Sequence, residues 1–366
     1  MARNDQKRPR RLGKLGIIDT EVQAHRHSRG KMENISTCRA AYLIPFIDVL
    51  RDIGTPVERE LERGHLPTEV EESPEDFVSN NLAMEFLARN ERREGIGDLG
   101  WLWAQRFSAS NMSADLMGAL SNLPTIHARL HGLSKLIKLE DSTARVGIIK
   151  TDDSAEIFCD GAPPDGIDGI PISEWTQVTV LIEVIRTILG QTWTPDEIRF
   201  KSDFKVCDAA RMANPNTRFI NRANHTSIVV PSSMLATAKT TCVLSEANEF
   251  NCLSDHDTID KIKRLLRPYL RAAAPNINLF AEVAGTSPRT LQRKLSQYGT
   301  SYSELIDTTR FEMATEMLED PNTHLIDVAM TLGYENQSNF GRSFRRIAGT
   351  SPGKYRRDLL SQENAA

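Results

Sequence analysis

The sequence contains few cysteines and no hydrophobic run long enough to cross a membrane. A bilayer span requires about 20 predominantly apolar residues, and the longest apolar segment, Val178–Leu189, is interrupted by Glu183 and Arg186. The N-terminus also lacks the apolar core of a signal peptide. We therefore expect a cytoplasmic protein that does not contact a membrane. The five cysteines show no CxxC spacing, which favours reduced thiols; they are Cys38, Cys159, Cys207, Cys242 and Cys252.

Residues with the spacing of a metal or phosphate site are also scarce. His127 and His131 lie four positions apart on a predicted helix, but no HExxH pattern or Cys/His group completes a zinc site, so packing or surface histidines are favoured. The segment Gly95–Gly100 lacks the lysine of a phosphate-binding loop and predicts a turn. Beside it, Trp101 and Trp103 would line an apolar pocket or, more commonly, the edge of a core. We expect no metal and no cofactor.

Charge is distributed unevenly along the chain. Residues 1–31 carry nine Lys/Arg against three Asp/Glu, and residues 261–357 carry fifteen against nine, although the net charge of the whole chain is −4. The stretch between them is therefore strongly acidic. A basic end on an acidic body is typical of a DNA-binding module joined to another domain, while an unevenly charged solvated surface gives the same asymmetry.

Hydrophobic periodicity divides the chain into five segments. We predict a flexible basic tail at 1–36, an α+β domain at 37–231, a linker at 232–257, an all-α domain at 258–357 and a short tail at 358–366. In the α+β domain helices come first, at Ala40–Arg51, at Ser73–Asn90 with a cap at Ser73-Pro74, and at Asp115–Leu139. Antiparallel strands and one helix follow, at Arg145–Lys150, Ala155–Cys159, Ser173–Leu189 (the helix), Glu197–Phe204, Thr217–Ile220 and Ser227–Val230.

A short pattern occurs twice in the C-terminal hundred residues. Ser287–Leu295 aligns with Asn336–Phe344, and the alignment pairs Leu291 with Phe340, Arg293 with Arg342 and Leu295 with Phe344. Ser287 and Asn336 are residue types that cap a helix N-terminus. A small-residue helical stretch ending at a glycine precedes each copy, at Leu279–Gly285 and at Ile326–Gly333. Helix, glycine turn and helix is the helix-turn-helix plan, in which the second helix enters the DNA major groove.

The outward faces of the two second helices carry residues suited to reading bases. Leu291 and Leu295 are predicted to face inward in the first copy, and Phe340, Phe344 and Ile347 in the second. Arginine pairs with guanine and glutamine or asparagine with adenine, so the candidate base readers are Arg289, Gln292, Arg293, Gln337, Ser338, Asn339 and Arg342. Candidate phosphate contacts are Thr290, Arg345, Arg346, Lys354, Arg356 and Arg357. Amphipathic core helices of a small bundle would show the same periodicity without the doubled caps.

A long helix, Ser301–Leu318, is predicted between the two copies. Its length is about 27 Å at 1.5 Å per residue. We expect it to hold the two recognition helices about one DNA turn, roughly 34 Å, apart.

Residues 258–357 resemble the DNA-binding domain of AraC/XylS-family transcription regulators. The matching positions are Arg310, Ala314, Leu318, Val328, Ala329, Gly333, Tyr334, Asn336, Ser338, Phe340, Arg342, Phe344, the stretch Gly349–Pro352, Tyr355 and Arg356. The sequence departs from the family at Leu295–Gly299, where one residue is missing before the glycine, which shortens the first recognition helix. Residues 38–231 resemble the α+β effector domain of a branch that responds to amino acids and other nitrogen compounds.

The resemblance implies a transcription regulator rather than an enzyme. Its expected partners are promoter DNA, a small-molecule effector such as an amino acid or amine, RNA polymerase and a second copy of the chain, and activation is the expected output. The resemblance leaves the effector-binding residues unknown. DNA-repair methyl acceptors can share this domain, but none of the five cysteines is followed by histidine, so we expect no catalytic residue. The alternative is a constitutive architectural DNA binder whose N-terminal domain only mediates assembly.

Overall fold

The computed structural model describes residues 35–161, 170–239, 258–271 and 274–363. The basic tail predicted at 1–36 therefore lies almost wholly outside the described residues. In the N-terminal α+β region the helices are α1 (Ile44–Asp52), α2 (Val57–Arg63), α3 (Asn80–Glu94), α4 (Leu99–Ala104), α5 (Ala114–Ser121), α6 (Ile126–Leu136), α7 (Ile170–Leu189) and α8 (Asp208–Ala213). Its strands are β1 (Thr37–Arg39), β2 (Phe77–Ser79), β3 (Arg145–Lys150), β4 (Ser154–Asp160), β5 (Glu197–Arg199), β6 (Arg218–Ile220) and β7 (Ser227–Pro231).

The main sheet has five strands in the order β3-β4-β7-β5-β6. All neighbouring pairs are antiparallel except β5 and β6, which run parallel and so depart from the predicted antiparallel sheet. Helix α7 packs on strands β4 and β7, and its apolar positions Val178, Leu181 and Ile185 are at most 1% exposed. The predicted α+β class, with helices before the sheet, is confirmed.

Several predicted helices are interrupted by structure that depends on distant residues. Ser73–Asn90 is not one helix, because Phe77–Ser79 pairs with Thr37–Arg39 as a two-stranded antiparallel sheet. The cap of α3 is consequently Ser79, whose hydroxyl accepts from the backbone of Leu82, and Ser73 is no cap.

Proline and tight turns shorten three other predicted elements. Asp115–Leu139 divides into α5 and α6 on either side of Pro124, and Ala40–Arg51 begins with a 3-10 turn before α1. The strand predicted at Glu197–Phe204 ends at Arg199. Phe200 N still donates to Ile220 O at 2.8 Å, but Ser202 N donates to the carboxylate of Glu174 at 3.0 Å.

The first part of the predicted linker belongs to the α+β region. Residues 232–236 form a 3-10 helix. The backbone then pairs with the start of α6, where Ile126 N donates to Thr237 O at 3.1 Å and Lys239 N donates to Pro124 O at 3.0 Å. The boundary predicted at 231 is therefore too early. Residues 240–257 of the predicted linker lie outside the described residues.

The C-terminal region is entirely helical where the structure describes it, which confirms the predicted all-α class. Its helices are α9 (Thr258–Leu270), α10 (Ile277–Val283), α11 (Pro288–Gln297), α12 (Tyr302–Leu318), α13 (Leu325–Thr331), α14 (Gln337–Ala348) and α15 (Pro352–Glu363). Residues 358–363, predicted as part of a tail, are the last turns of α15. Helix α9 packs on α12, where Lys263 and Arg267 form ion pairs with Glu312 and Glu316.

Candidate DNA-binding surface

Helices α10 and α11 form the first helix-turn-helix unit. Gly285 lies in the turn with a φ of +64°, in the left-handed region that glycine adopts without steric cost. The Ser287 hydroxyl accepts from Thr290 N at 3.2 Å and caps α11, as predicted. Leu291 and Leu295 are 0% and 1% exposed, so the predicted inward face is confirmed.

Helices α13 and α14 form the second unit with the same construction. Gly333 occupies its turn at a φ of +69°, and the Asn336 side chain caps α14 by accepting from Asn339 N at 2.9 Å. Phe340 and Phe344 are buried as predicted. Ile347 is 40% exposed, so its predicted burial is wrong.

The connecting helix α12 anchors both units. In the first, the Tyr302 ring stacks on Phe280 at a centroid separation of 5.6 Å. In the second, Phe311 contacts Phe344 at 5.0 Å, and the Arg310 guanidinium lies 4.8 Å from the centre of the Tyr334 ring. These contacts tie both helix-turn-helix units to α12, the first through α10 and the second through α14 and its turn. The connecting helix predicted at Ser301–Leu318 is present, and Ser301 is the cap of α12.

The predicted base readers lie on the exposed faces of α11 and α14. The side chains of Arg289, Gln292 and Arg293 are exposed and form no hydrogen bond or ion pair with other described residues. In the second unit Gln337, Ser338 and Arg342 are exposed, while Asn339 is half-buried. Arg342 Nη2 donates to the Asn339 side chain at 2.6 Å. The first unit therefore presents unpaired guanidinium groups, and the second presents an arginine already oriented by an amide.

The predicted phosphate contacts differ in their exposure and in whether they already bond another residue of the protein. Arg345 and Lys354 are exposed side chains, whereas the exposed Arg346 forms an ion pair with Asp307 of α12. The half-buried Arg356 donates to the carbonyl of Thr323 at 2.6 Å, just before α13. Arg356 therefore holds the second unit together rather than extending towards solvent. Thr290 is half-buried and accepts a hydrogen bond from the Ser287 hydroxyl at 2.9 Å, and Arg357 is exposed.

Two of these pairings were not predicted from the sequence. Asp307 and Thr323 lie 39 and 33 positions before their partners, respectively. Local periodicity does not report such contacts, because they depend on how α12 packs against the second unit.

The other features noted in the sequence have structural roles. Trp103 is fully buried, stacks on Phe107 at a centroid separation of 4.4 Å and donates its indole N–H to Tyr42 O at 2.8 Å. Trp101 packs against Trp175 at 5.1 Å, so both tryptophans belong to the core. Gly95 ends α3 with a φ of +67°. The predicted turn is present at residues 95–98, while Leu99 and Gly100 already belong to α4.

The histidines and cysteines form no cluster in the described part of the chain. The rings of His127 and His131 are stacked at 6.4 Å, and burial lowers the pKa of His131. No group of three or more metal-ligating side chains occurs among the described residues. Cys38, Cys159 and Cys207 are free thiols, and Cys242 and Cys252 lie outside the described residues. In the same part of the chain, no helix is both long and apolar enough to cross a bilayer.

Comparisons with known proteins match the C-terminal region. Residues 280–358 match a family model described as a helix-turn-helix domain. The ornithine utilization regulator of Pseudomonas aeruginosa is 35% identical over 100 residues, which are 27% of this chain and 29% of that protein. The transcriptional activator NphR of a Rhodococcus species is 30% identical over 125 residues, 34% of this chain and 37% of that protein. The matches thus span about a third of these curated relatives.

Solved structures of transcription regulators also match. The regulator CdpR of Pseudomonas aeruginosa aligns with a TM-score of 0.36 and 18% identity, covering 82% of this chain and 97% of that chain. The DNA-binding domain of AdpA, solved with a target DNA, aligns with a TM-score of 0.26 and 23% identity over 30% of this chain and 97% of that chain. The predicted resemblance of residues 258–357 to AraC/XylS-family regulators is confirmed by the family model and the curated relatives, whose names describe regulators and not enzymes.

Proposed function

We propose that this protein is a sequence-specific DNA-binding transcription regulator of the AraC/XylS type. The observation that carries the proposal is the pair of capped helices α11 and α14, each with a polar exposed face and each part of a helix-turn-helix unit that contacts α12. Arg289, Gln292 and Arg293, followed by Gln337, Ser338, Asn339 and Arg342, read base edges in two segments of the major groove. Arg345, Arg346 and Lys354 contact phosphates, which adds affinity without sequence preference.

We further propose that a small molecule bound in the α+β region controls this DNA binding, that the region also pairs two chains, and that the output is activation through RNA polymerase. The names of two relatives support the effector class and the activating output: one is an ornithine utilization regulator, and another is a transcriptional activator. The pairing of two chains rests on the family resemblance alone. An amino acid or amine is therefore the first class of effector to test. A constitutive architectural binder would show no change in DNA affinity with any such compound.

Selection of bound fragments from genomic DNA tests the DNA-binding proposal. We expect the full chain to enrich a small set of fragments sharing two short conserved blocks about one helical turn apart. Footprinting of the Arg293→Ala/Arg342→Ala double variant should then show loss of preference for both blocks. Arg59→Ala is the matched control, since Arg59 is an exposed arginine of α2 far along the chain from both units. Enrichment of unrelated fragments by the unmodified protein would contradict the proposal.

A further inference from the structure

A cavity lies inside the α+β region, between α1, α3 and α7. The centre of a water molecule can occupy about 80 Å³ of it. One water requires roughly 10–15 Å³ by this measure, so the cavity has room for a molecule of several heavy atoms. Its walls are largely apolar and include Leu43, Phe46, Met84, Leu87 and Val180. A short hydrocarbon chain therefore fits the main part of the cavity.

The charged groups on the cavity wall are all of one sign. Two carboxylates, Glu140 and Asp141, line it, and the described lining contains no lysine, arginine or histidine. Glu140 already has partners within the protein: Arg39 Nη1 lies 3.0 Å from its Oε2, and the Ser113 hydroxyl donates to its Oε1 at 2.5 Å. The Glu140 charge is therefore compensated by the protein itself.

Asp141 has no such compensation. Its Oδ1 accepts from the backbone N and the hydroxyl of Thr143, both at 2.7 Å, and its Oδ2 accepts from Asn80 Nδ2 at 3.3 Å. No cationic side chain of the described residues forms an ion pair with this carboxylate within 4.0 Å. Burial raises the pKa of Asp141, because its negative charge is poorly solvated there. A cation in the cavity would stabilise the ionised form.

Tyr42 supplies a second polar group that lacks a partner. The residue lines the cavity and is 9% exposed, and its ring is held against Phe107 at a centroid separation of 5.1 Å. Its buried hydroxyl makes no hydrogen bond with the described residues. A buried hydroxyl without a partner costs free energy, so an N–H donor placed beside it would remove a defect of the empty cavity.

We propose that this cavity binds a small organic cation, a protonated amine on a short apolar body, with Asp141 as the counter-ion and the Tyr42 hydroxyl as a second contact. The inference deepens the proposed function, because it rests on a sensing role for the α+β region. It names the site and the charge of the ligand. Asn80 and Thr143 hold the carboxylate in position, and the apolar walls receive the hydrocarbon part.

Three four-carbon probes with polar groups of different charge test the charge preference. We expect butylammonium to raise the thermal unfolding midpoint of the full chain at constant ionic strength. Butan-1-ol should raise it less, and butanoate should leave it unchanged or lower it. Stabilisation by butanoate equal to that by butylammonium would overturn the proposal, as would no response to butylammonium.

Variants locate the binding in the cavity. Asp141→Asn keeps the shape and the hydrogen-bond acceptor but removes the charge, and we expect butylammonium binding measured by calorimetry to weaken at least about tenfold. Asp152→Asn, in the exposed turn between β3 and β4, is the matched control. Tyr42→Phe, which retains the ring, should weaken binding several-fold even if Asp141→Asn does not fold. Unchanged affinity in Tyr42→Phe and in a folded Asp141→Asn would place the amine elsewhere and overturn the proposal.

DNA binding separates the two proposals. Specific DNA binding without any amine response would refute the cavity proposal alone. Amine binding that depends on Asp141, in a protein that selects no DNA, would refute the proposed function and leave the cavity as an amine site.

Discussion

The arginines on the two recognition helices differ in whether their guanidinium groups already have a partner within the protein. Arg289 and Arg293 have no partner among the described residues, so a base contact would cost them only rotamer freedom. Arg342 must share its guanidinium between DNA and the Asn339 side chain. An oriented side chain loses less entropy on binding, but an existing hydrogen bond reduces what a new contact adds.

We predict that Arg293→Ala weakens specific DNA binding by about 1–3 kcal/mol and relaxes the preference at one base pair. Arg342→Ala should have the smaller effect, because removing it also frees Asn339 to contact DNA. Fluorescence anisotropy with a selected fragment and its single-base variants measures both quantities. Equal losses on the selected fragment and on random DNA would contradict a base-reading role for Arg293.

Asp307 restrains one of the candidate phosphate contacts, since it forms an ion pair with Arg346. Asp307→Asn should release Arg346 and remove a negative charge from the surface proposed to face DNA. We expect tighter non-specific binding and a steeper dependence of affinity on salt, by up to about 0.9 in the logarithmic slope for one added phosphate contact. Anisotropy titrations at several KCl concentrations measure the slope, with Asp152→Asn as the control. An unchanged slope would show that the ion pair with Asp307 does not hold Arg346 away from phosphate.

For individual residues, the sequence predicted correctly those roles that depend on residues three or four positions away. The caps Ser287 and Asn336 and the buried positions Leu291 and Phe344 follow from spacings of three and four residues. Ile347 continues the same stripe but is exposed, because periodicity defines the face of a helix and not how far its packing partner extends. The role of Arg356 depends on a carbonyl that reaches it only in the folded domain.

Among the elements, the two recognition helices differ in length. Helix α11 has 10 residues and α14 has 12. Two elements were not predictable from local pattern: β1 and β2 are three residues each and form only because the chain brings them together. A segment that short has little intrinsic strand preference, so α3 was predicted to begin too early.

The capping box of α12 provides a prediction at the level of one helix. The Ser301 hydroxyl accepts from Glu304 N at 3.2 Å, and the Glu304 carboxylate accepts from Ser301 N at 2.7 Å. Ser301→Ala should lower the free energy of unfolding by about 1 kcal/mol, measured by urea denaturation. Ser303→Ala, in the exposed first turn of the same helix, is the control and should change little. Equal effects of the two substitutions would show that the cap is not the cause.

The capping box also makes the free energy of unfolding depend on pH, through the ionisation of Glu304. Its hydrogen bonds lower the pKa of Glu304, so the contribution is complete above the unfolded value of about 4.3 and declines as the pH falls through the lower folded value. The difference in stability between the unmodified protein and Glu304→Gln, measured by urea denaturation, should therefore narrow in acid.

In the whole molecule, the short segment Asp76–Asn81 contacts both the cavity and the C-terminal helices. Asn80 bonds Asp141 on the cavity wall. On the other side Asp76 pairs with Arg271 at 3.3 Å and with Arg267 at 3.8 Å. A methyl group added to Gly285 in the first helix-turn-helix turn would lie 3.5 Å from Asn81 Nδ2. The segment therefore offers a direct physical connection between an occupied cavity and the first recognition unit.

Further contacts fix the C-terminal helices to the α+β region. The Tyr269 hydroxyl donates to His65 O at 2.8 Å, and His65 Nδ1 lies 3.2 Å from a carboxylate oxygen of Glu282 in α10. The Arg264 guanidinium lies 5.3 Å from the centre of the Phe77 ring. All of these join residues far apart in the chain, which is why the sequence predicted two domains but not how they meet.

If this connection couples the cavity to DNA, Arg271→Gln should uncouple them. Coupling is reciprocal, so butylammonium must change DNA affinity by the same factor as DNA changes butylammonium affinity. We expect that factor to move towards one in Arg271→Gln, because Asp76 then retains only the longer contact with Arg267, while amine binding without DNA stays unchanged. Lys263→Gln is the matched control: it lies on α9, the helix that Arg271 directly follows, but it pairs with Glu312 inside the C-terminal domain. An unchanged coupling factor in Arg271→Gln would show that the cavity and the DNA-binding helices are coupled through other contacts. Loss of the coupling, together with faster amide exchange in α9, would identify the ion pair of Asp76 with Arg271 as the link.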